Sequence, residues 1–150
     1  VYLFFSLTKY EPSLVKENTG DKKYYCIDNG LRSVLLNSQS EDNGKLLENA
    51  VFLHLRRTLR IQEELHYYKG KKECDFVVTE FDKVTRLIQV SYQMGDEETR
   101  RREIEGLLEA ARATDCQELV IVTMETEAEW REQDMLIRVL PAWKWMLYAR

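Results

Sequence analysis

The period of apolar and polar positions changes several times along the chain, and each change marks a new element. Over 44–59, Leu47, Val51, His54, Leu55 and Leu59 recur on one face of a helix, with Glu48 and Phe52 at its border. Three short runs follow, at 64–69, 73–79 and 85–93, rich in β-branched and aromatic residues. Gly70-Lys71-Lys72 joins the first pair and residues 80–84 the second; both are hairpin lengths, so the spacing predicts an antiparallel meander. Helical spacing returns with Ile104, Leu107, Leu108 and Ala111, behind Asp96 as N-cap and Glu97 and Glu98 in a first turn where acid opposes the helix dipole. Glu97 with Arg101 and Glu98 with Arg102 are correctly oriented i,i+4 pairs, which account for most of the arginine run as a solvated face. Residues 119–123 are too few for a helix and read as a buried strand, returning parallel to an earlier one through the helical crossover.

Upstream, an aromatic strand-like run opens the chain, and the pattern is lost over 9–21, where Pro12, Asn18 and Gly20 signal loop. Residues 22–27 read as a strand closed by Asp28-Asn29-Gly30, after which Leu31, Val34 and Leu35 repeat at helical spacing; 38–43 is a polar loop. Beyond 123 the reading is an acidic loop over 125–134, a short strand at 137–140, and Pro141 opening a last turn through Trp143, Trp145 and Leu147. This gives a linking arm, 1–21, and one domain, 22–150. The first residue is Val1, and the expectation is a piece cut from a longer protein.

Composition narrows the classes. A chain of 150 residues can bury a core without disulfide or metal staples, and no stretch is long and apolar enough to cross a bilayer. A net charge of -4 argues against a domain that grips nucleic acid over its whole surface, and leaves local patches: Lys69, Lys71 and Lys72, and Arg56, Arg57 and Arg60 at a helix end. Each patch also reads as a solvated turn or a helix end charged favourably against its dipole. Cys26, Cys74 and Cys116 lie far apart in apolar runs, without zinc-ligand spacing, which suits small buried hydrophobes in the reducing cytoplasm. His54 and His66 have no partner at metal-ligand spacing and read as structural.

The candidate chemistry lies in the meander. Glu73 and Asp75 open an otherwise apolar strand, and Gln89 and Ser91 interrupt the next; burying such groups without partners costs about 2 kcal/mol or more each. Alternation puts Gln89 and Ser91 on one face of their strand, and Glu73 and Asp75 on one face of theirs. With Glu48 on the preceding helix these residues outline a metal-dependent nuclease site. The alternative is a salt-bridged helix face and a solvated strand end.

The order helix, three-strand meander, helix, strand resembles the core of restriction-endonuclease-like, PD-(D/E)xK nucleases: α-β-β-β-α-β, a mixed sheet flanked by helices. Several stretches also resemble the C-terminal domain of unknown function of bacterial and archaeal AAA+-like ATPases. They are Tyr25-Cys26-Ile27-Asp28-Asn29-Gly30-Leu31, Gly44-Lys45-Leu46-Leu47-Glu48-Asn49, Lys72-Glu73-Cys74-Asp75-Phe76-Val77-Val78, Leu87-Ile88-Gln89-Val90-Ser91-Tyr92, Asp96-Glu97-Glu98-Thr99-Arg100, and Ile137 through Trp145. The resemblance implies that Glu48, Asp75 and Gln89 stand at the positions that hold Mg2+ or Mn2+ and activate water, and that Ser91 stands where the pattern has lysine. It implies ATP only in a missing N-terminal ATPase and winged-helix portion, to which the arm leads. The preferred expectation is a catalytically degenerate module that binds nucleic acid or a protein partner, with Lys69, Lys71 and Lys72 on DNA. The alternatives are a Mg/Mn-dependent deoxyribonuclease with a displaced lysine, and a structural domain packing on the ATPase through Tyr2, Phe4, Trp143 and Trp145.

Overall fold

The computed structural model describes residues 3–12, 21–36 and 42–148. Tyr2, most of the expected loop over 9–21 and most of the polar loop over 38–43 lie outside them. Near the N-terminus, β1 (Phe4–Thr8), expected within the linking arm, pairs antiparallel with β2 (Lys22–Cys26), Phe4 opposite Cys26 and Thr8 opposite Lys22. After α1 (Asn29–Leu36) and α2 (Asn43–Thr58) come β3 (Glu63–Lys69), β4 (Glu73–Glu80) and β5 (Lys83–Val90), then α3 (Glu97–Thr114) and β6 (Leu119–Thr123). The chain closes with β7 (Ala128–Glu132), β8 (Met135–Pro141) and α4 (Ala142–Tyr148).

Six strands form one mixed sheet in the order β3-β4-β5-β6-β8-β7. The meander is antiparallel, β5 and β6 are parallel across the α3 crossover, and β6 and β8 are parallel. Alternation along the buried strands feeds two cores. Phe76, Val78, Ile88, Val120 and Val122 pack under α2, α4 and the hairpin, against Tyr25, Val51, Phe52, Leu55 and Trp145. Val77, Leu87, Leu119, Ile121 and Val139 pack under the stripe Ile104, Leu107, Leu108 and Ala111 of α3. Both helical faces are those the spacing predicts. A fully buried Leu, Ile or Phe contributes about 1.5–3 kcal/mol, so these two layers supply most of what holds the sheet in place.

Three details differ from the sequence reading. The acidic stretch 125–134 contains β7, paired with β8 through a two-residue turn at Gln133 and Asp134, both at positive φ. The turn carries no Asn-Gly or Asp-Gly signal, and the strand is largely exposed, so neither cue marks it. On α3, Arg101 pairs with Glu105 at 3.6 Å and Arg102 with Glu103 at 2.8 Å, because Glu103 is held against the sheet and draws Arg102 to it. Trp145 is core at 4% exposure while Trp143 is 61% exposed, so the tail aromatics divide between interior and surface.

A β-bulge positions the site. Pairing between β3 and β4 passes from His66 opposite Val77 to Tyr68 opposite Cys74, leaving Asp75 and Phe76 together against Tyr67. The extra residue breaks strict alternation, so Cys74 packs on the α3 side while Phe76 packs on the α2 side.

Candidate functional site

The centre of the site is a lysine that the sequence reading does not single out. Tyr25 points inward from β2, and alternation puts Lys23, two residues earlier, on the same face. Its Nζ lies 2.6 Å from Glu73 Oε1, 3.2 Å from Asp75 Oδ1 and 3.4 Å from Glu48 Oε1. It also stands 5.4 Å from the centroid of the Tyr67 ring. Burial works against the ammonium, but Asp75, Glu48 and Glu73 together outweigh it and raise the Lys23 pKa.

Each acid arrives from a different element. Glu48, on α2, accepts from Tyr25 OH at 2.6 Å, and Tyr25 stacks on Phe52 of the same helix at 4.1 Å between ring centroids. Burial, then the Glu48 charge, push the Tyr25 phenol well above its ordinary range, so it stays a donor. Asn49, beside Glu48 and buried, fastens the hairpin to α2: its Oδ1 accepts from Cys26 N at 2.8 Å, and its Nδ2 donates to Cys26 O at 3.0 Å and Asn29 Oδ1 at 2.9 Å. Asp75 Oδ2 accepts from Val90 N at 2.9 Å, at the end of β5.

Glu48 and Asp75, predicted together, therefore do meet, through Lys23. Gln89 is committed differently. Its Oε1 accepts from Asp75 N at 3.1 Å and its Nε2 donates to Glu103 Oε2 of α3 at 2.5 Å. Ser91 Oγ donates to Gln93 O at 3.0 Å. Lys69 pairs with Asp21 at 3.7 Å and Lys72 with Glu105 at 3.3 Å, while the backbone N–H groups of Lys71 and Lys72 are held by the Glu109 carboxylate at 2.7 and 3.2 Å. The two histidines stand apart from the site, His54 edge-on to Trp145 at 5.1 Å and His66 bonded to Thr8 Oγ1 at 3.1 Å. The three cysteines are free and buried.

Three carboxylates on one ammonium leave an excess of negative charge, and the most buried acid carries it at the greatest cost. Burial first, and the Glu48 charge second, raise the Asp75 carboxyl from 3.8 to about 7, against the pull of Lys23 and Val90 N–H. Because the folded pKa is above the unfolded one, the folded state holds a proton that the unfolded chain has already lost across this window. This group's contribution to stability therefore falls as pH rises from about 4 to about 7 and is flat above. Asp75→Asn is expected to remove that falling limb. Urea unfolding of both proteins at half-unit pH steps would measure it, and an unaltered slope in the variant would count against the raised pKa.

As arranged, the donor set fits an ammonium better than a magnesium ion. Nζ fills the point the three carboxylates share, and both ends of the Gln89 amide are engaged elsewhere. Among the described residues, no three His, Cys, Asp or Glu side chains gather as metal ligands. Beside Lys23 opens a pocket of about 340 Å³ that Tyr24, Arg32 and Lys45 help to line. A second cleft, of about 360 Å³, lies at the far end of the sheet. Its charges are spent in pairs such as Arg86 with Glu63 at 3.1 Å and Arg138 with Glu118 at 2.9 Å.

Fold and site together define a mixed α/β domain with a cluster of acids where β4 and the end of β5 meet the N-terminal hairpin. The chain belongs to the family described as Domain of unknown function (DUF4143), whose model matches residues 43–145. It is 34% identical over 154 aligned positions to the uncharacterized protein MJ1544 of Methanocaldococcus jannaschii, an alignment covering 97% of this chain and 33% of the relative. The chain thus spans about a third of the length of that relative. One solved structure, the refined half-complex from a tetradecameric assembly of Thermococcus gammatolerans McrB AAA+ hexamers with bound McrC, is a distant likeness. It aligns at 18% identity over 65% of this chain and 27% of its own, with a TM-score of 0.45. Among the described residues, no helix is long and apolar enough to cross a membrane.

Proposed function

We propose that this chain is a restriction-endonuclease-like module of a longer, ATPase-bearing protein, in which the metal site has become an internal salt bridge and the role is nucleic-acid binding. One observation carries the reading: Lys23 Nζ stands within 3.4 Å of Glu48, Glu73 and Asp75, and so occupies the approach to the two acids, Glu48 and Asp75, that the nuclease-like pattern would give to a divalent ion. An ammonium there neutralises part of the cluster without activating water, so the architecture is kept and the chemistry is not. The helix–meander–helix–strand order, with the acids on α2 and β4, supports the nuclease-like ancestry. The threefold greater length of MJ1544 is consistent with a module in a larger chain, and ATP would bind in that remainder. Free, buried thiols suit the cytoplasm.

A second reading rests on the same lysine. Lys23 Nζ, 3.2 Å from Asp75 Oδ1, supplies from β2 the cation that Ser91 does not, which would serve a Mg2+- or Mn2+-dependent deoxyribonuclease. A plasmid-nicking assay with either metal separates the two. The proposed function predicts no cleavage while labelled oligonucleotide still binds. Metal-dependent nicking that Asp75→Ala abolishes, with folding preserved, would replace it with the second reading.

A further inference from the structure

We infer that the pocket beside Lys23 is a subsite for single-stranded nucleic acid, with Arg32 and Lys45 on the phosphates and a base stacked on Tyr24. This rests on the nucleic-acid-binding reading and assigns the surface that performs it. Several polar groups around the pocket are already spent inward. Lys23 faces three carboxylates, Glu48 accepts from both Lys23 and Tyr25, and the Asn49 amide is taken by Cys26 and Asn29. Glu73, its side chain 41% exposed, is held by Lys23, and what remains for a ligand is Arg32, Lys45 and Tyr24.

Among the described residues Arg32 makes no ion pair, and Lys45, its side chain 68% exposed, shares only the N-cap Asp42 at 3.2 Å. Asp42 is also the acid whose carboxyl Arg32 helps to hold low, after the Lys45 backbone and side chain, so two cations share one carboxylate. On the Asp42 side of the pocket two cations therefore meet one carboxylate, while Glu48 and Glu73 on its inner side are held by Lys23. Tyr24, 68% exposed, also lines the pocket. Two cations and an exposed tyrosine around a pocket of about 340 Å³ match the needs of a strand whose bases are unpaired: phosphate neutralisation plus sequence-tolerant stacking. A duplex keeps its bases stacked on each other and has no face to offer Tyr24. The Lys69–Lys72 turn is a poorer candidate, since two of its three lysines are paired with acids and Glu109 caps its backbone.

The test is binding of a fluorescent twelve-residue oligo-dT by the protein over a salt series, with thermal melts to verify folding. Arg32→Glu with Lys45→Glu should weaken binding at least about tenfold and flatten the log–log salt slope by roughly one to two. Tyr24→Ala should weaken it by about fivefold or more with the slope unchanged, and a duplex of equal length should compete poorly. Lys71→Glu with Lys72→Glu should change little. If the lysine-turn variant loses binding and the Arg32/Lys45 variant keeps it, the pocket is the wrong surface while nucleic-acid binding stands. If the unaltered protein binds neither strand nor duplex at low salt, the binding reading falls and the subsite with it.

Discussion

Replacing Lys23 by methionine is expected to destabilise the protein by about 3 kcal/mol at pH 8. Removing one partner of a buried ion pair costs about 3–5 kcal/mol because the other charge is left uncompensated. The low end applies here because the cluster is partly solvated, Glu73 at 41% and Glu48 at 24% side-chain exposure. The loss should shrink towards pH 5. Without the ammonium, Asp75 has still more reason to hold its proton, so folding is opposed most where the carboxylates are all charged. Millimolar Mn2+ should restore part of the loss in the variant, since the vacated carboxylates can then act as ligands, and should shift the unaltered protein little. Urea unfolding with and without the metal reads both effects. Equal stability of the two proteins at pH 8 would mean that the cluster is held by hydrogen bonds alone.

Gly106→Ala is expected to destabilise by about 1–3 kcal/mol, although helix propensity favours alanine by about 1 kcal/mol. A Cβ at Gly106 would meet the backbone carbonyl of Glu73 at 2.4 Å. That atom belongs to β4 and cannot rotate away, so α3 must lift from the sheet and the clash outweighs the propensity. Lifting α3 also strains the bond from Gln89 to Glu103 and, through Gln89, the support of the Asp75 backbone. Thermal unfolding gives the sign, and a stabilised variant would show that α3 is free to shift.

The scaffold was legible because its signals are local. The stripe on α3 and the hairpin lengths around β4 each follow from a few neighbouring residues, and both cores use the faces those patterns present. The acids were legible as misfits in apolar runs. Lys23 was not, because a lysine in a tyrosine-rich strand also reads as an outward charge; only its phase with inward Tyr25 distinguishes it. Nor was the bulge at Asp75 and Phe76, since an extra residue is defined by the partner strand and leaves no mark in its own. Gln89 was found as a buried polar residue, but its engagement with α3 depends on Glu103, fourteen positions away.

The hairpin of β1 and β2 forms its own small sheet, and among the described residues its chain is tied to the large one by backbone only near Lys9, Tyr10 and Tyr67. Side chains do the rest: Leu7, Tyr25 and Cys26 are buried, and Asn49 bonds both the N–H and the carbonyl of Cys26, so the hairpin is seated by packing rather than by a ladder. Lys23 reaches the acids at Glu48, Glu73 and Asp75 from that hairpin, so the cation of the cluster and the seating of β2 are one arrangement. A ligand seated on Tyr24 and Arg32 would therefore bear on the interior salt bridge as well, since Tyr24 is the neighbour of Lys23 on β2 and Arg32 follows on α1.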